Sequence, residues 1–409
     1  MFKTHFIVIV IITTHCNFVH GQSTYLETFT PLYRLYRYSM FGLIGRSDGE
    51  SSYDWNLRRG KVQQPFPESK SFFCDTNGPG KRSHSIPQSV HQLRPGDIDI
   101  VAAMGDSLTA GNGALATNML QLFIENKGVS GTIGGQNTWR KYLTLPNMIK
   151  EFNPDLYGYS SSDGYSTDKS SRFNVAEMGG MSVDIPHEAE VLVKRMTADP
   201  RVKMNEHWKL ITILIGPNDF CLNLCQTNNP EKTVELHEND LVKALRVIRD
   251  NLPRTMVNLI TPPNLKVLTE LRGKPSECEM LHHLECPCLF GFRHQSKREQ
   301  YFKIIERWQK IVSKVADMDE FNRDDFTVNN QPFLKNVTIP MLANGNHDFT
   351  YLSLDCFHLS QRGYAIAVNA LWNNMMQPEG QKWTNWKKEF TEFICPTFDR
   401  PYIATKKNS

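Results

Sequence analysis

A fold of the α/β class, with a mainly parallel central sheet covered on both faces, is predicted from three observations. Short, almost wholly apolar runs recur at residues 98–104, 210–215 and 256–260, as expected of strands buried on both sides. Longer segments of helical periodicity alternate with them, the arrangement that builds parallel sheets through crossover helices. The boundaries carry turn formers, Pro262 and Pro263 stopping the third strand.

Taken in order, the chain opens with Lys3 and the apolar run Phe6-Ile7-Val8-Ile9-Val10-Ile11-Ile12, ahead of a small-residue cleavage position at Gly21. That is the pattern of a secretory signal peptide over residues 1–21. The run is much shorter than the ~20 apolar residues of a membrane span. The chain closes on Ala404-Thr405-Lys406-Lys407-Asn408-Ser409, so no transmembrane anchor is expected, and a secreted or lumenal location is. Residues 22–95 are rich in turn formers, as in Ser47-Asp48-Gly49 and Cys74-Asp75-Thr76-Asn77-Gly78-Pro79-Gly80, and read as an extension packed on the core. The α/β domain then takes residues 96–400, with helices predicted at 139–152, 185–197, 234–251, 296–319 and 360–376. No internal repeat or low-complexity linker divides it.

With 409 residues and 40% hydrophobic content, the chain can bury a large core. Its formal charge of +3 balances 46 basic against 43 acidic residues with no long basic run, so no nucleic-acid partner is expected. Nine cysteines become eight when Cys16 leaves with the signal, and an even number in an oxidising compartment suggests disulfides. Cys221 and Cys225 are near enough to pair, and the rest stay unassigned among ~105 connectivities. The cluster Cys278, His282, His283, Cys286, Cys288 has zinc-ligand chemistry, but secretion favours disulfides there. Asn336-Val337-Thr338 is an N-glycosylation sequon, which marks a surface loop at Asn336.

The chemistry gathers in four blocks. Met104-Gly105-Asp106-Ser107-Leu108 puts a serine just beyond the carboxyl end of the first strand, where an open α/β sheet collects its functional groups. A serine hydroxyl needs a base to take its proton and a group to orient that base. Asp355-Cys356-Phe357-His358 supplies both on a loop before a helix, with Asp355 holding one ring nitrogen and the other facing Ser107. A tetrahedral intermediate needs donors for its oxyanion. Asn218, in Gly216-Pro217-Asn218-Asp219, offers a side-chain amide, and Asn174-Val175-Ala176-Glu177-Met178-Gly179-Gly180 offers uncluttered backbone N–H groups.

These four blocks resemble those of the GDSL (SGNH) hydrolases. Gly105 to Gly113, Asp355-Cys356-Phe357-His358-Leu359-Ser360 and Ala370-Leu371-Trp372-Asn373-Asn374-Met375 are similar, more narrowly, to the animal membrane-associated phospholipase B branch. The resemblance runs from about Gly105 to Gln381. It implies a three-layer α/β/α, flavodoxin-like SGNH fold, with Ser107 as nucleophile, Asp355 and His358 as triad partners, and oxyanion donors at Ser107, Gly179 and Asn218. Gly180 is the alternative to Gly179. It further implies hydrolysis of acyl esters of phospholipids and lysophospholipids, of phospholipase A1/A2 and lysophospholipase type, at a transient membrane or micelle surface, with no cofactor and no metal. Two features depart from the branch: its vertebrate members resemble tandem copies with a C-terminal anchor, and Pro217 stands where the family has a small residue.

Three other functions compete with this reading. Gly345-Asn346-His347-Asp348 matches a metallophosphoesterase signature, but the further carboxylate and histidine ligands of a two-metal site are missing; the segment reads as a turn before Asp355. A short-chain or carbohydrate O-acetyl esterase shares the fold and the blocks. A secreted lipid-binding protein without turnover would have no use for an intact Ser107, Asp355 and His358. Met119, Leu120, Leu122 and Phe123 are candidates to line an acyl groove, although such a stripe is more often core.

Overall fold

The computed structural model describes residues 44–409. The predicted signal peptide and Cys16 lie outside the described residues. Within the described residues, four parallel strands form the sheet, β1 (Ile98–Gly105), β2 (Trp208–Leu214), β3 (Thr255–Ile260) and β4 (Phe326–Gln331), in the order β1-β2-β3-β4. Beyond the outer edge of β1, the chain adds isolated parallel bridges at Ile100↔Tyr157 and Ala103↔Asn174.

Among the described residues, the helices of nine residues or more are α1 (Glu50–Arg58), α2 (Ile185–Ala198), α3 (Lys232–Asn251), α4 (Ser276–Glu285), α5 (Arg298–Ala316) and α6 (Gln361–Met376). Alternation along the strands sends side chains to opposite faces, and each face has its own core. Ile100, Ala102, Met104, Ile211 and Ile213 pack with Leu192 of α2, Leu245 of α3 and Val312 of α5. Val101, Ala103, Leu210 and Met256 pack with Ile366, Leu371 and Trp372 of α6 and with Trp139. Three layers, α/β/α, follow from this sorting of one alternating strand pattern.

α6 is buried on nearly all sides because a further layer covers it. The C-terminal segment hydrogen-bonds it through Trp372 Nε1 to the Ile394 carbonyl, 2.8 Å, and Ile394 N–H to Asn373 Oδ1, 2.8 Å. The early segment joins the same layer through the Cys74–Cys395 disulfide, and Gln63 N–H donates to Gln361 Oε1 at 2.8 Å.

Three differences from the sequence reading have plain causes. The helix predicted over 139–152 shrinks to Leu145–Ile149, capped by Thr144, because Pro146 has no N–H to give an earlier turn and fits only at a helix start. β4 escaped notice because four of the six residues of its sequence FTVNNQ are polar; Asn329 and Gln331 are buried, and Gln331 Nε2 donates to Asn258 Oδ1 at 2.8 Å. Cys221 and Cys225 do not pair with each other. The helical segment Asp219–Asn223 and its continuation present both sulfurs to a neighbouring segment, giving Cys221–Cys286 and Cys225–Cys288.

Candidate active site

β1 ends in a backbone that only glycine accepts: Gly105 has φ +139°, and a Cβ there would lie 2.1 Å from the Leu214 carbonyl oxygen of β2. The chain turns at once into a short helix, Ser107–Ala110, whose N-cap Asp106 accepts the Leu108 N–H at 2.9 Å. Ser107 is therefore the first residue of a helix, and its N–H has no intrahelical acceptor. Burial pushes the Asp106 carboxyl up to about 7, with the Leu108 N–H and His358 pulling the other way.

On the facing loop, His358 Nε2 lies 2.9 Å from Ser107 Oγ and His358 Nδ1 lies 2.7 Å from Asp355 Oδ2. The second carboxylate oxygen of Asp355 accepts the Phe357 and His358 N–H groups at 2.8 and 2.9 Å, so aspartate and imidazole sit in one frame. Asp355 is wholly buried, the His358 side chain is 12% exposed and Ser107 is 5% exposed, so the three groups are largely shielded from solvent. Burial lowers the His358 pKa and the Asp355 charge and hydrogen bond raise it, with Glu285 and Asp106 adding to the rise; the balance is upward, to about 9.

The glycine pair reaches the site along β1. Phe173 O accepts from Ala103 N–H, and Val175 and Glu177 N–H donate to the Ala103 and Gly105 carbonyls at 3.0 and 3.1 Å, which continues the chain past the end of β1 into Met178-Gly179-Gly180. Gly179 has φ +83° with open space where a Cβ would be. Beneath this loop a fully buried ion pair, Lys127–Glu125 at 3.2 Å, holds the backbone: Lys127 Nζ donates to the Ala176 carbonyl at 2.6 Å and Glu125 Oε1 accepts the Met178 N–H at 3.4 Å. Asn218, just past β2, donates from Nδ2 to the Gly180 carbonyl at 2.9 Å, so its amide meets the glycine pair with Pro217 in place. Its neighbour Asp219 accepts the Ser182 N–H at 2.9 Å and hydroxyl at 3.1 Å, locking the two loops together.

The remaining candidates fall elsewhere. His347 is tied to the Arg272 backbone, its Nδ1 accepting the N–H at 2.8 Å, and Asp348 Oδ1 caps Thr350 at 3.0 Å; this segment is a turn. Cys278, Cys286 and Cys288 are all in disulfides. Asn336 is exposed, its Nδ2 donating to Thr384 Oγ1 at 3.0 Å. Of the apolar stripe only Leu122 is buried; Met119, Leu120 and Phe123 are 38%, 56% and 54% exposed, so the stripe is not core.

Sequence reasoning missed two features. Cys356, between Asp355 and His358, is joined to Cys278 of α4. Glu285, at the end of the same helix, has a carboxylate oxygen that lies, with atoms of Asp355 and His358, in a group within 4.8 Å of one another. The signal was present as a helical stripe, since Cys278, His282 and Glu285 share one face at spacings of four and three.

The chain matches the family model described as GDSL-like lipase/acylhydrolase over residues 101–371. It is 36% identical over 341 residues to a protein of Rattus norvegicus named phospholipase B1, membrane-associated, covering 83% of this chain and 23% of that protein. The Homo sapiens protein of that name is 38% identical over 334 residues, covering 80% of this chain and 22% of that protein. The chain thus spans less than a quarter of the length of these relatives.

Proposed function

The chain belongs to the GDSL-like lipase/acylhydrolase family, and from that premise we propose that it hydrolyses acyl ester bonds of phospholipids and lysophospholipids through Ser107, His358 and Asp355. The carrying observation is the unbroken relay from Ser107 Oγ to His358 Nε2 and from Nδ1 to Asp355 Oδ2.

His358 takes the Ser107 proton as Oγ attacks the acyl carbonyl, and the carbonyl electrons move onto its oxygen. The N–H groups of Ser107 and Gly179 and the Asn218 amide receive that oxyanion. Such donors are worth ~3 to 4 kcal/mol each where one has been removed. Collapse expels the alcohol, which leaves with the proton from His358. Water then repeats the sequence on the acyl-serine. Asp355 stays ionised throughout and holds the imidazolium in place.

A long-chain substrate is supported by the similarity to proteins named phospholipase B1 and by the exposed Met119, Leu120 and Phe123 beyond the nucleophile, where a transient membrane or micelle surface would meet the enzyme. Secretion, with signal cleavage near Gly21 and a glycan on Asn336, is supported by four disulfides among the described residues. No helix of the described residues is long and apolar enough to cross a membrane.

The test is fatty-acid release by purified protein from long-chain phosphatidylcholine and lysophosphatidylcholine, with an acetyl ester for comparison and Ser107→Ala alongside. Release from both lipids that is lost in Ser107→Ala is expected. Turnover of the acetyl ester alone would replace this reading with a short-chain or carbohydrate O-acetyl esterase, and none at all would replace it with a lipid-binding protein.

A further inference from the structure

We propose that Glu285 is a positioning residue for the reaction, acting through His358: α4 sets its carboxyl against the His358–Asp355 pair, where it offers the imidazolium a second negative charge. This rests on the triad reading above.

The placement is enforced from several sides. Cys278 of α4 is disulfide-bonded to Cys356. One turn on, His282 Nε2 makes a hydrogen bond of 3.1 Å with the Cys356 carbonyl. Glu285 follows at the next turn, and Cys286 immediately after it is tied to Cys221. The face bearing Glu285 is therefore pinned to the Asp355–His358 loop at Cys278 and His282 and to the Asp219–Asn223 segment just beyond Glu285. The Glu285 carboxyl lies in the same 4.8 Å group as atoms of Asp355 and His358, and its Oε2 is buried with no hydrogen-bond partner among the described residues.

A carboxyl buried without a donor favours its neutral form, and a carboxylate beside it adds to that preference. Burial first and Asp355 second push Glu285 up to about 8, while His358 opposes them. Reciprocally, Glu285 raises the His358 pKa. The other groups around the pair come from separate elements. Asp106 faces His358 from the nucleophile turn. Lys61 faces Asp355 from the N-terminal segment, Tyr364 does so from α6, and His282 of α4 is kept neutral by burial, down to about 4. Of the acids acting on His358, Glu285 is the one that belongs neither to the Ser107 turn nor to the Asp355 loop.

The experiment is the pH dependence of kcat and KM on a soluble ester for wild type, Glu285→Gln, Glu285→Asp and Ser107→Ala, with melting temperatures. Glu285→Gln keeps the shape and removes the charge, so the acid limb of kcat/KM should move down by about 1 pH unit, the low end of what a charge within ~4–6 Å does, with KM unchanged. Glu285→Asp should restore part of the wild-type limb. An acid limb left in place by Glu285→Gln overturns the proposal even if activity falls, because a packing role alone would not move it. Should Glu285→Gln not fold, the low-field Nδ1 proton resonance of His358 in wild type decides: two titration steps support the coupling, and a single step overturns it. Activity surviving in Ser107→Ala would instead bring down the triad reading.

Discussion

The two halves of the proposed catalytic relay are held by different means. On the nucleophile side, Ser107 follows β1 within two residues, and its surroundings are regular backbone: the sheet, the Asp106 cap and the 173–177 segment laid along β1. On the base side, Asp355 and His358 sit on a loop without sheet or helix ladder, fastened by distant parts of the chain. Cys278 contributes a disulfide, and Lys61 Nζ donates to the Phe349 and Leu352 carbonyls at 3.0 and 2.7 Å. Gly113 O accepts the Ser353 hydroxyl at 2.6 Å. A sheet edge places one atom accurately at little cost in chain length, whereas a loop needs cross-links to remove the conformational freedom that a ladder would remove. The proposed nucleophile is therefore expected to be robust to changes elsewhere, and the proposed base is not.

This contrast can be broken or sharpened by substitution. The largest effect belongs to Ser107→Ala, which should lower kcat/KM by at least about 10⁴-fold while the melting temperature stays within a degree or two; an active variant would remove the relay as the basis of the comparison. Asn218→Ala, still on the sheet side, should cost about 10²- to 10³-fold in kcat with folding intact, measured as ester turnover and thermal melting.

The base side should answer differently. Cys278→Ala with Cys356→Ala should destabilise by about 2 to 5 kcal/mol, read by denaturant unfolding, and should lower turnover in the protein that remains folded. Equal stability in this pair and in Asn218→Ala would erase the distinction between the two halves. The gentlest probe is pH. A base must be neutral to act, and the His358 pKa is raised above the ordinary value, so on the proposed mechanism activity should climb as pH rises through that higher value. The acid limb then lies above the ~6 to 7 of an unperturbed imidazole, with activity falling roughly tenfold per pH unit below it. A limb at or below 6.5 would show that the acids around His358 have no net hold on it.

Much of this was legible in the chain. Strands at 98–104, 210–215 and 256–260 come within two residues of β1, β2 and β3, because an apolar run flanked by turn formers has few other uses. The helix read at 234–251 is α3, Lys232–Asn251. α1 and α4 went unread: α1 lies in a turn-rich stretch, and the apolar face of α4 is made of cysteine and histidine rather than leucine or valine.

Ser107, Asp355, His358 and Asn218 were named by local pattern, since each lies beside a strand end or a helix start, while the glycine pair was legible and the choice of Gly179 within it came from the family resemblance. What sequence determined by itself was the alternation that sorts the chain into layers and the residue types able to do acyl chemistry. Only the tertiary structure decided the 2.9 Å approach of His358 to Ser107, which cysteines are joined, and that Glu285 stands behind the base. Those depend on distances between segments far apart in the chain, and a pattern of hydrophobicity and turns carries no record of which loop meets which helix.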